Sequence, residues 1–196
     1  MAVSGSREQV KERSWTVREV ALAGLFAALT AVGAMVSIPL PMGVPFSLQV
    51  LVSLLAGAVL GARAGALSQA IYLLMGAVGL PVFAGRTGGL QVLVGLTGGY
   101  LVGFVVAAWV VGRLTERCSP ISPGRGAAAM AAGLAAIYLP GALVLALHWG
   151  SLPRALYYGV LVYLPLDLVK AVAAYSIARG LEARGIARPV GAVRSP

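Results

Sequence analysis

The stretch Tyr163-Leu-Pro-Leu-Asp-Leu-Val-Lys-Ala171 places one carboxylate and one ammonium in a run that is otherwise apolar. Asp167 and Lys170 are three positions apart, so a helix brings both side chains to one face. A charge near the centre of a bilayer costs about 2.5–3.5 kcal/mol on insertion scales unless it meets a partner or a wet cavity. The stretch therefore indicates either an internal ion pair that fixes helix packing or a polar ligand site inside a membrane.

The composition of the whole chain is that of an integral membrane protein. Hydrophobic residues make up 59% of the 196 residues and charged residues only 11%, whereas soluble domains have about 45–50% and about 25%. Several apolar runs approach the roughly 20 residues that a helix needs to cross a bilayer. We therefore expect one compact all-α domain of five or six membrane helices.

Six spans can be drawn along the sequence. Prolines between Pro39 and Pro45 end the first span, and a corner at Gly61–Gly65 separates the second from the third. Pro165 begins the sixth span, after an interfacial or re-entrant piece. These segments give a cytoplasmic N-terminal segment 1–19, a six-helix domain 20–182 and a cytoplasmic tail 183–196. The spans cover about residues 20–38, 48–60, 66–78, 99–111, 127–147 and 165–177, and the interfacial piece covers 154–164.

The basic residues predict that both termini are cytoplasmic. Of the 15 Lys and Arg residues, Lys170 lies within the last span and Arg86 and Arg154 flank outer ends, which leaves twelve beside cytoplasmic ends. This distribution attributes the net charge of +9 to membrane topology, so no nucleic-acid partner is expected. We expect a multi-pass protein of a bacterial or archaeal cytoplasmic membrane, surrounded by lipid.

Motifs for catalysis, ATP hydrolysis and metal binding are missing from the sequence. It contains no G-x-x-x-x-G-K-[ST] motif, so this chain does not hydrolyse ATP by a P-loop of its own. His148 is the only histidine and Cys118 the only cysteine, which leaves no metal cluster and no Ser-His relay. We expect no enzyme, no metal site and no cofactor.

Several residues are candidates for ligand binding besides the charged pair. A carboxylate accepts and an ammonium donates, so the pair suits a ligand with N–H donors and a carbonyl or carboxylate. Gln49 and Tyr100, near the starts of the second and fourth spans, are polar candidates that helix packing explains equally well. In the outer loop, Arg86 could receive an anionic tail, and Gly88 and Gly89 allow backbone to approach a ligand or simply form a turn.

The first span carries a stripe of small residues, Ala23, Ala27 and Ala31. Such a stripe lets another helix approach closely. Packing within the chain and docking of an external partner explain it equally well.

Five motifs occur in a fixed order along the chain. They are Val44-Pro-Phe-Ser-Leu-Gln49, Gly79-Leu-Pro-Val-Phe-Ala-Gly85, Gly88-Gly89, Thr97-Gly-Gly-Tyr-Leu-Val-Gly-Phe104 and Leu164-Pro-Leu-Asp-Leu-Val-Lys170. Together they resemble the BioY family, the biotin-specific membrane-embedded S components of energy-coupling factor (ECF) transporters. The resemblance covers about residues 16–182.

This resemblance implies a six-helix S-component fold that binds biotin near the outer face. A separate transmembrane coupling subunit with two ATPase subunits would drive uptake. Asp167 would accept bonds from the ureido N–H groups, while Lys170 would neutralise Asp167 and donate to the ureido oxygen or to another ligand acceptor. Arg86 would be the candidate for the biotin carboxylate, and Phe46 joins the expected site through its motif.

The resemblance also implies that the stripe Ala23, Ala27 and Ala31 is the docking face for the coupling subunit. The alternative function is a self-sufficient secondary carrier for biotin or a related small polar metabolite, in which the charged pair relays protons. Dimerisation of the chain remains open from the sequence.

Overall fold

The computed structural model describes residues 14–39, 43–116 and 120–186. Most of the predicted terminal segments and Cys118 therefore lie outside the described residues. Helices dominate the described chain, with one small β-hairpin. The elements are α1 (Val17–Met35), β1 (Ser37–Ile38), β2 (Phe46–Ser47), α2 (Gln49–Ala77), α3 (Leu90–Val94), α4 (Gly98–Thr115), α5 (Pro123–Trp149), α6 (Leu152–Leu156), a π-helix (Tyr157–Leu161) and α7 (Leu164–Ala183).

A capping box starts α1. The backbone N–H of Glu19 donates to Thr16 Oγ1 at 3.2 Å, and the Thr16 backbone N–H donates to Glu19 Oε2 at 2.8 Å. Two free donors of the first turn are thereby satisfied. After α1, strand β1 pairs with β2 in antiparallel orientation, with Ile38 opposite Phe46. This hairpin carries the chain from the end of α1 to the start of α2.

Helix α2 folds back on itself at Gly61. Gly61 has φ 82° and ψ 178°, a conformation outside the helical region that glycine adopts without steric cost. Gln49 Nε2 lies 2.6 Å from Tyr72 Oη, although 23 residues of continuous helix would separate them by about 34 Å. The two halves of α2 therefore run side by side, and the predicted corner between the second and third spans lies at Gly61.

Glycines allow α2 and α4 to pack closely. A Cβ atom on Gly57 would lie 2.4 Å from the Ala108 carbonyl oxygen, and one on Gly112 would lie 2.2 Å from the Ala62 nitrogen. Both distances are shorter than any van der Waals contact, so only glycine fits at either position. Helix α5 packs against α4 and scarcely contacts α2, so α4 lies between these two helices.

Helix α5 has a cap at each end. Ser122 caps its start, where the Ser122 hydroxyl accepts from the Arg125 N–H, and Gly150 ends α5 in the left-handed conformation.

The last part of the chain is bent. The short α6 and the π-helix follow α5 and are bent by 44° relative to α7. Pro165 lies in the first turn of α7, as predicted from the sequence. The bent segment Leu152–Leu161 corresponds to the interfacial piece expected there.

Four helices in the described ranges are long and apolar enough to cross a membrane. They are α1, α2, α4 and α5, and the bent pair that ends with α7 raises the number to five. The chain is therefore a mostly helical, multi-pass membrane protein. This number counts α2 once, although the predicted second and third spans are its two halves, which run side by side on either side of Gly61.

The start of α1, the turn at Gly61, the adjoining ends of α4 and α5, and the end of α7 lie at one end of the bundle. The Arg63 guanidinium lies 4.7 Å from the centre of the Trp15 ring, and the Ala62 N–H donates to Glu116 Oε2 at 3.1 Å. At the same end of α4 and α5, the Ile121 N–H donates to Glu182 Oε2 at 3.1 Å. The β-hairpin and the glycine-rich loop, residues 79–89, lie at the opposite end, because the first half of α2 runs from that hairpin to Gly61.

Candidate functional site

A cavity of about 550 Å³ lies at the hairpin end of the bundle. This volume is within the range of about 300–1,000 Å³ that is usual for small-molecule sites. Most of its wall is apolar or aromatic, with a polar cluster on the α7 side. The lining residues come from the β-hairpin region (37, 39, 43–47, 49 and 50), the glycine-rich loop (83–85 and 87), the α3–α4 region (92, 97, 100, 101 and 104), α5 (137 and 138) and the start of α7 (163, 167 and 170).

Asp167 and Lys170 form a buried ion pair on the cavity wall. Lys170 Nζ lies 2.7 Å from Asp167 Oδ1, and the two residues are 5% and 3% exposed. The second carboxylate oxygen, Oδ2, accepts a hydrogen bond from the Tyr138 hydroxyl at 2.6 Å. The neighbouring α7 residues Leu166, Leu168 and Val169 are exposed. The charged face of α7 therefore points into the bundle, and the apolar face points outward.

Lys170 also contacts the β-hairpin. Its ammonium donates to the Ser47 backbone carbonyl oxygen at 2.6 Å and lies 3.5 Å from the centre of the Phe46 ring. A cation over an aromatic face is stabilised by the negative potential of the ring. The ammonium is thus held by a carboxylate, a carbonyl and an aromatic ring, and one of its three N–H groups remains for a ligand.

Tyr163 makes a second link between α7 and the loop that joins α1 to α2. Its hydroxyl donates to the Val44 backbone carbonyl oxygen. Tyr163, Asp167 and Lys170 have i, i+4, i+7 spacing and so occupy one face of the helix. The loop between α1 and α2 is therefore attached to α7 at Val44 and again at Ser47.

Gln49 and Tyr100 line the cavity as expected, and both side chains also have protein partners. Gln49 Nε2 donates to Tyr72 Oη at 2.6 Å, and its Oε1 accepts from Ser47 Oγ at 2.8 Å. The Tyr100 hydroxyl donates to the Gly159 carbonyl oxygen at 2.8 Å, in the π-helix. The helix-packing alternative for these residues is therefore realised, although both residues also line the cavity.

The glycine-rich loop is only partly at the cavity wall. Arg86 is exposed with φ 58° and does not line the cavity, although its neighbours Gly85 and Thr87 do. Gly88 and Gly89 are also outside the lining. A Cβ atom on Gly88 would lie 2.3 Å from the Leu80 carbonyl oxygen, so close packing of the loop on itself explains this glycine.

The alanine stripe of α1 is inside the bundle. Ala23 and Ala27 are 0% exposed and Ala31 is 7% exposed. Their burial is explained by packing within the chain, the alternative that the sequence left open. The exposed face of α1 carries other small residues, Gly24 and Ala28, so a partner that approached α1 from outside would meet these residues.

Three tyrosines of the site were missed in the sequence analysis. Tyr138 and Tyr163 line the cavity. Tyr72 is outside the lining and accepts a hydrogen bond from Gln49. Each lies within or beside an apolar span, where a phenol needs a partner for its hydroxyl. Tyr163 opens the stretch that contains the charged pair, at the i−4 position from Asp167, and this spacing was the available signal.

The fold and the site together define a multi-pass membrane protein with a small-molecule cavity, and a buried ion pair lies on the wall of that cavity. The chain belongs to the BioY family, whose sequence profile matches residues 7–186. The family resemblance seen in the five motifs is thereby confirmed.

Relatives of known description support this assignment. The chain is 45% identical over 166 residues to "Biotin transporter BioY" of Thermotoga maritima, which covers 85% of this chain and 96% of that protein. It is 40% identical over 174 residues to "Biotin transporter BioY" of Rhodobacter capsulatus, with 83% and 92% covered. A crystal structure described as the S-component for biotin from an ECF-type ABC transporter is similar with a TM-score of 0.78 and 25% identity, over 87% of this chain and 95% of that one.

Proposed function

We propose that this chain binds biotin in the cavity and acts as the S component of an ECF-type transporter for biotin uptake. The observation that carries this proposal is the Asp167–Lys170 pair on the wall of a largely apolar cavity, in a chain of the BioY family. Buried ionisable groups in membrane segments are expensive, and they usually face a substrate or a wet cavity. The chain is not an enzyme.

The hydrogen-bonding capacity that remains at the pair matches a ureido group. An ionised carboxylate can accept about four hydrogen bonds, and two are taken by Lys170 and Tyr138. Asp167 can therefore accept the ureido N–H groups. Lys170 has one N–H left for the ureido oxygen. The apolar walls suit the thioether ring of biotin, and the Phe46 ring lies beside Lys170 at the same end of the cavity.

We assign the biotin carboxylate to the end of the cavity that the glycine-rich loop covers. Arg86 is the cation of this loop, and the residues on either side of it line the cavity. Gly88 and Gly89 contribute by shaping the loop. Arg86 is exposed, and solvent screens an ion pair at such a site. Its contribution to affinity is therefore smaller than that of the buried pair.

The membrane topology that we propose has six crossings and both termini in the cytoplasm. The crossings are α1, the two halves of α2, α4, α5 and α7. Trp15, Arg63 and Glu116 lie at the end opposite the cavity, together with most of the Arg residues in the described ranges, and basic residues concentrate on the cytoplasmic side. The cavity then opens toward the outside of the cytoplasmic membrane, where a substrate for uptake arrives.

The proposed partners are a transmembrane coupling subunit and two ATPase subunits. The sequence has no P-loop, and the similar solved structure belongs to an ABC transporter of the ECF type. We propose that the coupling subunit docks on the exposed face of α1, where the small side chains of Gly24 and Ala28 permit close helix approach.

Calorimetric titration of biotin and desthiobiotin into the purified protein tests the binding proposal. We expect saturable binding of one biotin per chain, because the cavity contains one charged pair. Desthiobiotin retains the ureido group and lacks the thioether ring, so we expect it to bind more weakly. Lack of biotin binding would contradict the proposal.

Transport assays test the S-component assignment separately. In membrane vesicles, uptake should require ATP together with the coupling subunit and ATPases. Uptake that follows a proton gradient without those partners would instead support the secondary carrier.

A further inference from the structure

A second chain of polar groups runs behind the cavity wall. Gln49 joins Tyr72 and Ser47 through its two amide atoms, at 2.6 Å and 2.8 Å. The Tyr72 hydroxyl donates to the Val82 backbone carbonyl oxygen at 3.1 Å. This chain of groups connects both halves of α2, strand β2 and the glycine-rich loop.

The polar chain ends at the residues that hold Lys170. Ser47, whose hydroxyl donates to Gln49, presents its backbone carbonyl oxygen to Lys170 Nζ at 2.6 Å. Phe46, the preceding residue, carries the ring that lies 3.5 Å from the same ammonium. The position of β2 therefore determines two of the three contacts of Lys170 with the protein.

Tyr72 determines the orientation of the Gln49 amide. Its hydroxyl donates to Val82 and so offers Gln49 an acceptor, which requires the NH₂ side of the amide. The amide oxygen is then left for the Ser47 hydroxyl. Tyr72 is 0% exposed, its ring packs edge-on against Phe83 at 5.5 Å, and it does not line the cavity. Tyr72 can thus influence a ligand only through the residues that it holds.

We propose that Tyr72 is a positioning residue for ligand recognition, which acts through Gln49 and Ser47 to hold Lys170 against the ureido oxygen of biotin. This inference rests on the proposed function. It assigns Gln49 an indirect role in recognition, in place of the direct ligand contact expected from the sequence.

Tyr72→Phe tests the proposal because it removes one oxygen atom and keeps the ring that packs against Phe83. Biotin and 2-iminobiotin, in which nitrogen replaces the ureido oxygen, are titrated into the purified full-length chain. The variant should bind biotin about tenfold more weakly, because the amide and the Val82 carbonyl lose a buried partner. The ratio of the dissociation constant of 2-iminobiotin to that of biotin should also fall. Lys170 is then no longer held against the one atom in which the two ligands differ.

A merely structural role of Tyr72 would weaken both ligands equally. An unchanged ratio of dissociation constants would therefore overturn the proposal, as would biotin affinity equal to that of the unaltered protein. The matched control is Tyr175→Phe, which removes a hydroxyl that donates to the Ile121 carbonyl oxygen at 3.3 Å at the opposite end of the bundle. It should leave both dissociation constants unchanged.

Gln49→Leu provides a second variant should Tyr72→Phe not be recovered in folded form. It interrupts the same polar chain one residue nearer to Lys170 and should reduce the discrimination between the two ligands in the same way. Retained discrimination in this variant would also overturn the proposal. Failure of the unaltered chain to bind biotin would overturn the proposed function and this inference together, whereas normal binding by Tyr72→Phe would overturn the inference alone.

Discussion

The Lys170 ammonium donates to the backbone carbonyl oxygen of Ser47 across 2.6 Å and so joins α7 to the strand that leads into α2. The same ammonium neutralises Asp167. One cation therefore belongs both to the proposed ligand site and to the attachment of the loop between α1 and α2. Changes at this pair should affect ligand affinity and the stability of the fold together.

Asp167→Asn should weaken biotin binding by tenfold or more. The substitution replaces an ionised acceptor by a neutral amide, and hydrogen bonds to charged groups contribute about 1.5–3 kcal/mol each. Isothermal titration of the purified variant measures the change. Glu116→Gln is the control, since it neutralises a carboxylate that accepts from Ala62 at the other end of the bundle. Binding by Asp167→Asn as tight as that of the unaltered protein would contradict a role of Asp167 in the site.

Lys170→Met should destabilise the protein as well as abolish tight binding. Removal of one partner from a buried ion pair leaves an uncompensated charge, which costs about 3–5 kcal/mol. The double variant Asp167→Leu with Lys170→Met carries no charge there and should recover most of the lost thermal stability, while biotin binding stays weak. Thermal unfolding in detergent measures this. A double variant as unstable as Lys170→Met alone would show that the pair does not act as a unit.

Tyr163→Phe should accelerate the dissociation of biotin several-fold. The hydroxyl of Tyr163 attaches the loop between α1 and α2 at Val44, and one neutral hydrogen bond contributes about 0.5–1.5 kcal/mol. The release of labelled biotin after dilution measures the rate. Tyr157→Phe, at a residue that is 55% exposed, is the matched control and should leave the rate unchanged. Equal rates for Tyr163→Phe and the unaltered protein would contradict a role of this bond in ligand retention.

Substitutions on the two faces of α1 should have opposite consequences. Ala28→Leu enlarges an exposed residue, and we expect it to leave biotin binding intact and to stop uptake by preventing close docking of the coupling subunit. Ala27→Leu enlarges a residue that is 0% exposed. Overpacking of a filled interior costs about 1–3 kcal/mol, so we expect this variant to lose stability and biotin binding. Binding assays and vesicle uptake separate the two variants. Normal uptake by Ala28→Leu would place the docking surface elsewhere.

Most of the helical fold could be predicted from the sequence, because apolar runs and their interruptions determine where helices can lie in a membrane. The predicted fourth and fifth spans lie within α4 and α5. The break at Gly61 was predicted as a five-residue corner, but a single residue in an unusual conformation is enough to reverse the chain. Local composition does not show how sharply the chain turns at a particular glycine.

The candidate site was predictable where charge was the signal. Asp167 and Lys170 stand out because ionisable residues in an apolar span need partners, and the structure places both on the cavity wall. Tyr138 and Tyr163 were not found, since phenols are common in membrane helices and their partners are distant in sequence. The buried position of the alanine stripe on α1 also required the structure, because small residues permit close approach on either face of a helix.

Structure determination of the protein with bound biotin tests the central claim most directly. We predict that the ureido ring lies within hydrogen-bonding distance of both the Asp167 carboxylate and the Lys170 ammonium, inside the cavity between α7 and the β-hairpin. Biotin bound elsewhere, with the Asp167–Lys170 pair contacting only protein groups, would contradict the account.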